Sequence, residues 1–331
     1  MKIIRLTRVG ALALLAACSG DGTNPLGGGG TDPEGGAGLG GNLTFNEGTD
    51  LYTLQRVRIS GSELVVEGLP FDGDDAYADT ALVLDQDTGR PVARIFFRNP
   101  ASIDDQYTGD SDGPISQDSY IAIYNESDDG NAKTSVARSG SYLEHGFGGY
   151  VVGRDTGVDL PTSGQANYYG NYVALRTFKG SAGIELVDGD MAMEVDFEKL
   201  EDNGAMRAYV TGRRLYADDG TYLGDLPALI GTVQAGGIED NGQFETSIRV
   251  DYYDPDATDV ADINSEFGTM RGMFEGDSAE TVVGVVDITM DSYHAENGSV
   301  DFGAGAIPTY GFGEDTTITE TRETGTFVLE R

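Results

Sequence analysis

Three triplets, Asp202-Asn203-Gly204, Asp218-Asp219-Gly220 and Asp240-Asn241-Gly242, stand between short apolar runs in the second half of the chain. Asn-Gly and Asp-Gly favour the positive φ angles that tight hairpins need, so the chain is expected to double back at each. The runs between them read as strands. In one, Met191, Met193, Val195 and Phe197 fall on one face and Ala192, Glu194 and Asp196 on the other. This is period-two alternation with one face buried. Strands are predicted over 166–178, 190–197, 205–213, 228–234 and 243–253, with a closing strand at 316–329. The 49 glycines against 10 prolines suit a chain of many short strands and tight turns.

The first half carries the same pattern. Runs at 51–59 and 63–66 are separated by Ser60-Gly61-Ser62, and runs at 80–84 and 91–97 flank Asp85-Gln86-Asp87-Thr88-Gly89-Arg90. Further runs at 119–124 and 133–139 flank an acidic turn at 125–130, and 147–152 gives one more short strand. Convincing helical periodicity is missing from this half, and strands at such spacing point to a sandwich or barrel-like sheet. At 331 residues the chain is long enough for one large β domain or two smaller ones.

The stretch 268–290 reads as a hairpin, two apolar runs parted by Glu275-Gly276-Asp277-Ser278. Its spacing, Gly272-x-Phe274-x-Gly276-x-x-Ala279-Glu280-x-Val282-x-Gly284, resembles the signature in the C-terminal barrel of the transferrin-binding protein B-like surface lipoproteins, a group that includes factor H-binding protein-like barrels. Asp277, Thr281 and Val283 stand where that family usually shows a Pro, a second acidic residue and a paired Gly. Ala166-x-Tyr168-x-Gly170-x-Tyr172 is similar to the strand that opens those barrels, and 189–197 to the strand that follows, so the resemblance covers roughly 166–290. It implies an all-β chain: an accessory β-sheet region, lipid-tethered, followed by a soluble antiparallel up-and-down β-barrel of about eight strands. Sealing such a sheet removes edges that invite aggregation. The resemblance also implies capture of a host protein or iron carrier. Binding residues of the family lie in variable loops, so none carries over.

The N-terminus carries its own signal. Lys2, Arg5 and Arg8 precede a short apolar run at 9–16, and Leu15-Ala16-Ala17-Cys18 fits the bacterial lipoprotein cleavage box. The run is too short to span a bilayer as a mature helix. Cys18 is therefore expected to be the lipidated mature N-terminus, anchoring the chain in a membrane; Ser19, where an Asp would commonly retain it at the inner membrane, points to the outer membrane. The Gly-dominated stretch that follows holds too little apolar surface to fold and reads as a flexible tether, reaching roughly 25 Å as a random coil. The expected organisation is a signal peptide at 1–17, a tether at 18–41, an N-terminal β-sheet region at 42–160 and the barrel at 161–331. With Cys18 the only cysteine, disulfides within the chain are excluded.

The net charge of −35 excludes nucleic acid and anionic lipid headgroups as natural partners and favours a cationic surface. The two histidines, His145 and His294, sit in Gly-rich contexts that read as surface turns, with haem or metal contact by His145 the sharper alternative. Motifs of metalloproteases, serine hydrolases and phosphate-cradling loops are missing, so no catalytic residue is assigned and no enzyme is expected. Acidic runs at 72–75, 104–112, 128–129 and 251–262 supply oxygen ligands, yet none completes a calcium loop; Asp85-Gln86-Asp87-Thr88-Gly89 is a fragment of one. No cofactor is expected, structural calcium being the alternative. Function therefore reads as non-catalytic binding of a protein or small molecule; nutrient or iron capture, or a surface interaction, is what the resemblance implies. Loops at 254–264 and 303–315, with Asp254, Asp256, Asp259 and Asp262, are the expected contact region. A structural, envelope-shielding lipoprotein is the alternative. The lipobox, charges on both strand faces and the Glu330-Arg331 ending argue against an integral pore.

Overall fold

The computed structural model describes residues 42–46, 48–49, 52–54, 56–69, 76–80, 96–99, 104–105, 115–116, 120–140, 145–179, 183–251, 268–291 and 320–331. Within them the fold is all-β apart from one 3-10 turn, Phe197–Lys199. In chain order the first strands are β1 (Asn42–Asn46), β2 (Gly48–Thr49), β3 (Tyr52–Thr53), β4 (Arg56–Ser60), β5 (Glu63–Glu67) and β6 (Tyr77–Asp79). They are followed by β7 (Phe96–Arg98), β8 (Asp104–Asp105), β9 (Ile115–Ser116), β10 (Ile121–Glu126), β11 (Ala132–Arg138) and β12 (Gly148–Arg154). Eight of these form one antiparallel sheet in the order β1-β12-β11-β10-β7-β6-β5-β4, while β2–β3 and β8–β9 are small separate pairs.

The remaining strands build the barrel: β13 (Gln165–Lys179), β14 (Glu185–Asp196), β15 (Met206–Ala217), β16 (Tyr222–Asp225) and β17 (Ala228–Thr232). Next come β18 (Gln243–Asp251), β19 (Gly268–Glu275), β20 (Thr281–Asp291) and β21 (Glu320–Glu330). Each pairs antiparallel with the next, β16 being a short excursion from β15, and β21 returns to pair with β13. Eight strands therefore close into an up-and-down barrel, as the resemblance implies. The turn glycines Gly204, Gly220 and Gly242 adopt φ of 77°, 87° and 81°, the left-handed conformation expected of the three triplets.

Register explains which side chains go inside. Tyr168, Tyr172 and Ala174 of β13, Met191, Met193 and Val195 of β14, and Phe327 and Leu329 of β21 share the lumen with Phe244, Met270 and Phe274. The lumen is filled by side chains, as eight-stranded barrels of this size can be. The outward face is not uniformly wet. Ile123, Val136 and Val152 of the first sheet pack against Leu175, Val283 and Val285 on the outside of the barrel. The first sheet has a second apolar face, where Leu54, Val57, Leu64, Tyr77 and Tyr120 form a core of their own. Strands β11 and β12 are buried at every residue, because apolar layers cover them on both faces. Polar ties cross the seam: Arg138 donates to Thr324 at 2.8 Å and Arg271 to the Tyr150 hydroxyl at 2.5 Å.

Several elements differ from the sequence reading. β14 begins at Glu185, before the predicted 190, because Leu186 is buried against the first sheet on the outer face and the polar alternation is lost there. β15 runs past 213 to Ala217 through a bulge at Gly212, where the register against β14 shifts. β1, β2, β6, β8, β9 and β16 have no counterpart among the predicted strands; all are five residues or fewer, too short for periodicity to mark them. The predicted strand at 80–84 and most of that at 91–97 lie outside the described residues.

Candidate functional site

The two ends of the barrel differ. At one, β14–β15, β17–β18 and β19–β20 are joined by the compact segments 197–205, 233–242 and 276–280. At the other, Lys179, Glu185, Ala217, Ala228, Asp251, Gly268, Asp291 and Glu320 are neighbouring strand ends. From this second end residues 252–267 and 292–319 leave and return. Together they carry nine carboxylates and no Lys or Arg. Both loops named in the sequence reading, with Asp254, Asp256, Asp259, Asp262 and also His294, belong to these segments and lie outside the described residues, as does Cys18.

The lumen beneath this long-connection end is polar. Arg213 of β15 reaches across to Glu323 of β21, a strand that is not its neighbour in the sheet, and donates to its two oxygens at 2.6 and 2.5 Å. Arg213 also donates to the Pro227 carbonyl at 2.5 Å, and the Tyr172 hydroxyl donates to Glu323 at 2.8 Å. Beside them Arg176 donates to Glu185 at 2.9 Å, with its Nε 3.7 Å from Glu323. The Arg213 and Glu323 side chains are 1% and 0% exposed. Burial pushes the Glu185 carboxyl up, against the pull of Arg176, and burial likewise raises the Tyr172 hydroxyl well above its usual value. The network is charge-balanced and closes the lumen; it holds groups in place rather than offering a reactive one. Periodicity did not reveal it. The bulge at Gly212 allows both Val210 and Arg213 to face inward, which no period-two count anticipates.

On the outer rim of the same end, the β15–β16 turn is pinned to the first sheet by an Arg98–Asp218 ion pair of 3.0 Å. Tyr222 follows it, 53% exposed, with its hydroxyl donating to Asp225 at 2.9 Å and its ring edge-on to buried Tyr216 at 5.8 Å. The connection between β11 and β12, which holds His145, comes to this end too: Gly140 accepts a hydrogen bond from the Gly183 amide at 3.1 Å. His145 is half-buried in a turn beside Gly146. Among the described residues no group of three or more His, Cys, Asp or Glu could hold a metal ion. The acidic turn at 128–129 is occupied by its own donors: Asp129 accepts from Ser127, the Asn131 amide and the Asn131 side chain at 2.7, 3.0 and 2.8 Å.

The opposite end is an aromatic plug. Phe274 meets Tyr168, Phe197 and Phe244 at centroid distances of 5.9, 6.1 and 5.8 Å, and Arg331 lies over the rings of Tyr168 and Phe197. The motif at 272–284 serves this end. Gly276 has φ of 93°, and a Cβ there would run into the Glu280 carboxylate, which folds back to accept from the Ser278 amide at 2.9 Å. Ala279, with φ of 57°, is fully buried, and its carbonyl accepts from the Tyr168 hydroxyl at 2.6 Å. These residues build a turn and its contact with the core.

No family model and no curated protein matches the sequence. Solved structures do. A double mutant of transferrin-binding protein B from Haemophilus parasuis is 12% identical over 86% of this chain and 44% of its own, with a TM-score of 0.37. Isotype 1 transferrin-binding protein B from Neisseria meningitidis is 15% identical over 88% and 43%, with a TM-score of 0.35. A surface lipoprotein is 9% identical over 63% and 80%, with a TM-score of 0.31. The chain spans less than half the length of the two transferrin-binding proteins. Its architecture rests on its own strand pairing.

Proposed function

We propose that this chain is an outer-membrane lipoprotein, anchored through Cys18, that binds a protein partner at the long-connection end of its barrel and performs no catalysis. The organisation read from the sequence, with a signal at 1–17, a tether at 18–41, a sheet region at 42–160 and a barrel at 161–331, belongs to this proposal. The observation that carries it is topological: both long acidic segments, the exposed ring of Tyr222 and the two-sheet corner at Arg98–Asp218 converge on one end of a rigid scaffold. Long connections on a rigid β frame are where binding functions sit. The filled lumen favours a partner met at the surface over a small molecule held inside. Nine carboxylates without a basic residue favour a cationic protein surface, bound with an affinity that falls as salt rises. Transferrin is what the names of the similar structures attach to those proteins; for this chain the partner class is a protein with a basic patch.

The test is affinity capture from the native surroundings with the mature chain as bait. One stoichiometric partner is expected, held less tightly when Asp254, Asp256, Asp259 and Asp262 are replaced by Asn, with an unchanged melting temperature. Capture of nothing would favour the envelope-shielding alternative, and turnover in a broad substrate screen would overturn the non-catalytic reading.

A further inference from the structure

The position of Asn42 assigns a direction to the molecule. Asn42 opens β1 and pairs with Arg154 at the end of β12. The Arg154 guanidinium donates to the carbonyls of Phe274 and Asn241, the latter at 2.6 Å; Phe274 is near the end of β19, beside the β19–β20 turn, and Asn241 lies in the β17–β18 turn. Thr156 reaches the Glu275 carboxylate, and Val158 bridges to Gly276 at the same place. On the neighbouring hairpin the Asp128 amide donates to Glu330, the last residue of β21, at 2.9 Å. Four independent contacts therefore place the start of β1 against the short-turn end of the barrel.

We infer that the short-turn end is the membrane-facing surface of this protein, and that the long-connection end is turned away from the bilayer. The inference rests on the reading of Cys18 as a lipid anchor and adds the orientation that the anchor imposes. β13 alone runs 15 residues, which at ~3.3 Å per residue and a tilt of roughly 40° separates the two ends by about 35 Å. For the far end to touch lipid, the segment 18–41 would have to pass along the whole body. The turns 240–242 and 276–278 are correspondingly the surface that faces the bilayer across the tether, and a protein partner arrives from the other side.

Cys18 is the only cysteine, and lipidation blocks its thiol, so one introduced cysteine labels one site. Asp240→Cys at the short-turn end and Thr221→Cys at the long-connection end, both exposed, are made separately in the full lipidated chain. Each carries a donor fluorophore and is reconstituted into phosphatidylethanolamine–phosphatidylglycerol vesicles that contain an acceptor lipid. Energy transfer several-fold greater from 240 than from 221 is expected, with both proteins melting as the parent does. Equal transfer, or greater transfer from 221, overturns the orientation while leaving the anchor standing. A chain that fails to join the vesicles removes the anchor and this assignment with it. Binding of a protein partner is not read by the experiment, so the two proposals fail separately.

Discussion

Gly284 is the residue at which a single atom decides the fold. It lies directly across from Gly272, and a Cβ there would fall on the Arg271 carbonyl and within 2.8 Å of the Phe327 ring. Gly284→Arg is expected to abolish the barrel, read as loss of the cooperative melt and of the β circular dichroism signal; a parental melt would show the close approach to be wrong. Glu323 is decisive in a different way. It is the carboxylate partner of Arg213, while Arg176 keeps Glu185, so Glu323→Gln leaves the buried Arg213 guanidinium without its counter-charge and should cost about 3–5 kcal/mol in chemical denaturation. Glu185 and Glu280 give opposite pH slopes. The Glu185 carboxyl is raised by burial, so its contribution is full below its unfolded pKa and is lost as pH rises through the folded one. The Glu280 carboxyl is held low by the Ser278 amide, so its contribution is present above the unfolded pKa and is lost as pH falls through the folded one. Stability measured against pH should lose the first slope in Glu185→Gln and the second in Glu280→Gln. Any other assignment of slopes to residues would contradict these environments.

Among the elements, β20 carries apolar residues on both faces, Val282 and Val286 inward and Val283 and Val285 outward. Outside an isolated barrel, Val283 would face water and tolerate a charge. Here Val283→Asp buries an unpaired carboxylate beneath the first sheet and should cost more than about 3 kcal/mol, as an interior substitution does. A melting temperature within a degree or two of the parent would mean that the sheets do not pack as described. The same two-sided burial explains what the sequence could and could not reveal. Where one strand face met solvent, as at 191–195, alternation was legible and the strand was placed. Where the first sheet covered the outside, at Leu186, alternation vanished and the start of β14 was missed. The triplet turns were legible because Asn-Gly and Asp-Gly act locally. The lumen network was not: Arg213 and Glu323 meet across the barrel 110 residues apart, and nothing local marks either as buried. The long-connection end was legible only as long acidic connections; that Tyr222 and the β11–β12 connection join it is a matter of topology.

Taken whole, the described residues form two apolar cores and a third between them that belongs to both sheets. Heating should therefore produce one transition for the full chain, with probes in the first sheet and in the barrel moving together; two separate melts would show that the seam contributes little. The seam also sets a limit on inheritance. A barrel excised at 165–331 would present Leu175, Leu186, Val283 and Val285 to water as a continuous oily wall, a surface that self-associates or recruits cover. Recombination between chains of this design can exchange what lies beyond the strand ends at the open rim without disturbing either sheet. It cannot trade a barrel for another barrel unless the sheet that lines it travels too. Packing thus predicts that tolerated exchange falls at the rim, with the two layers passing from one generation to the next as a single cassette.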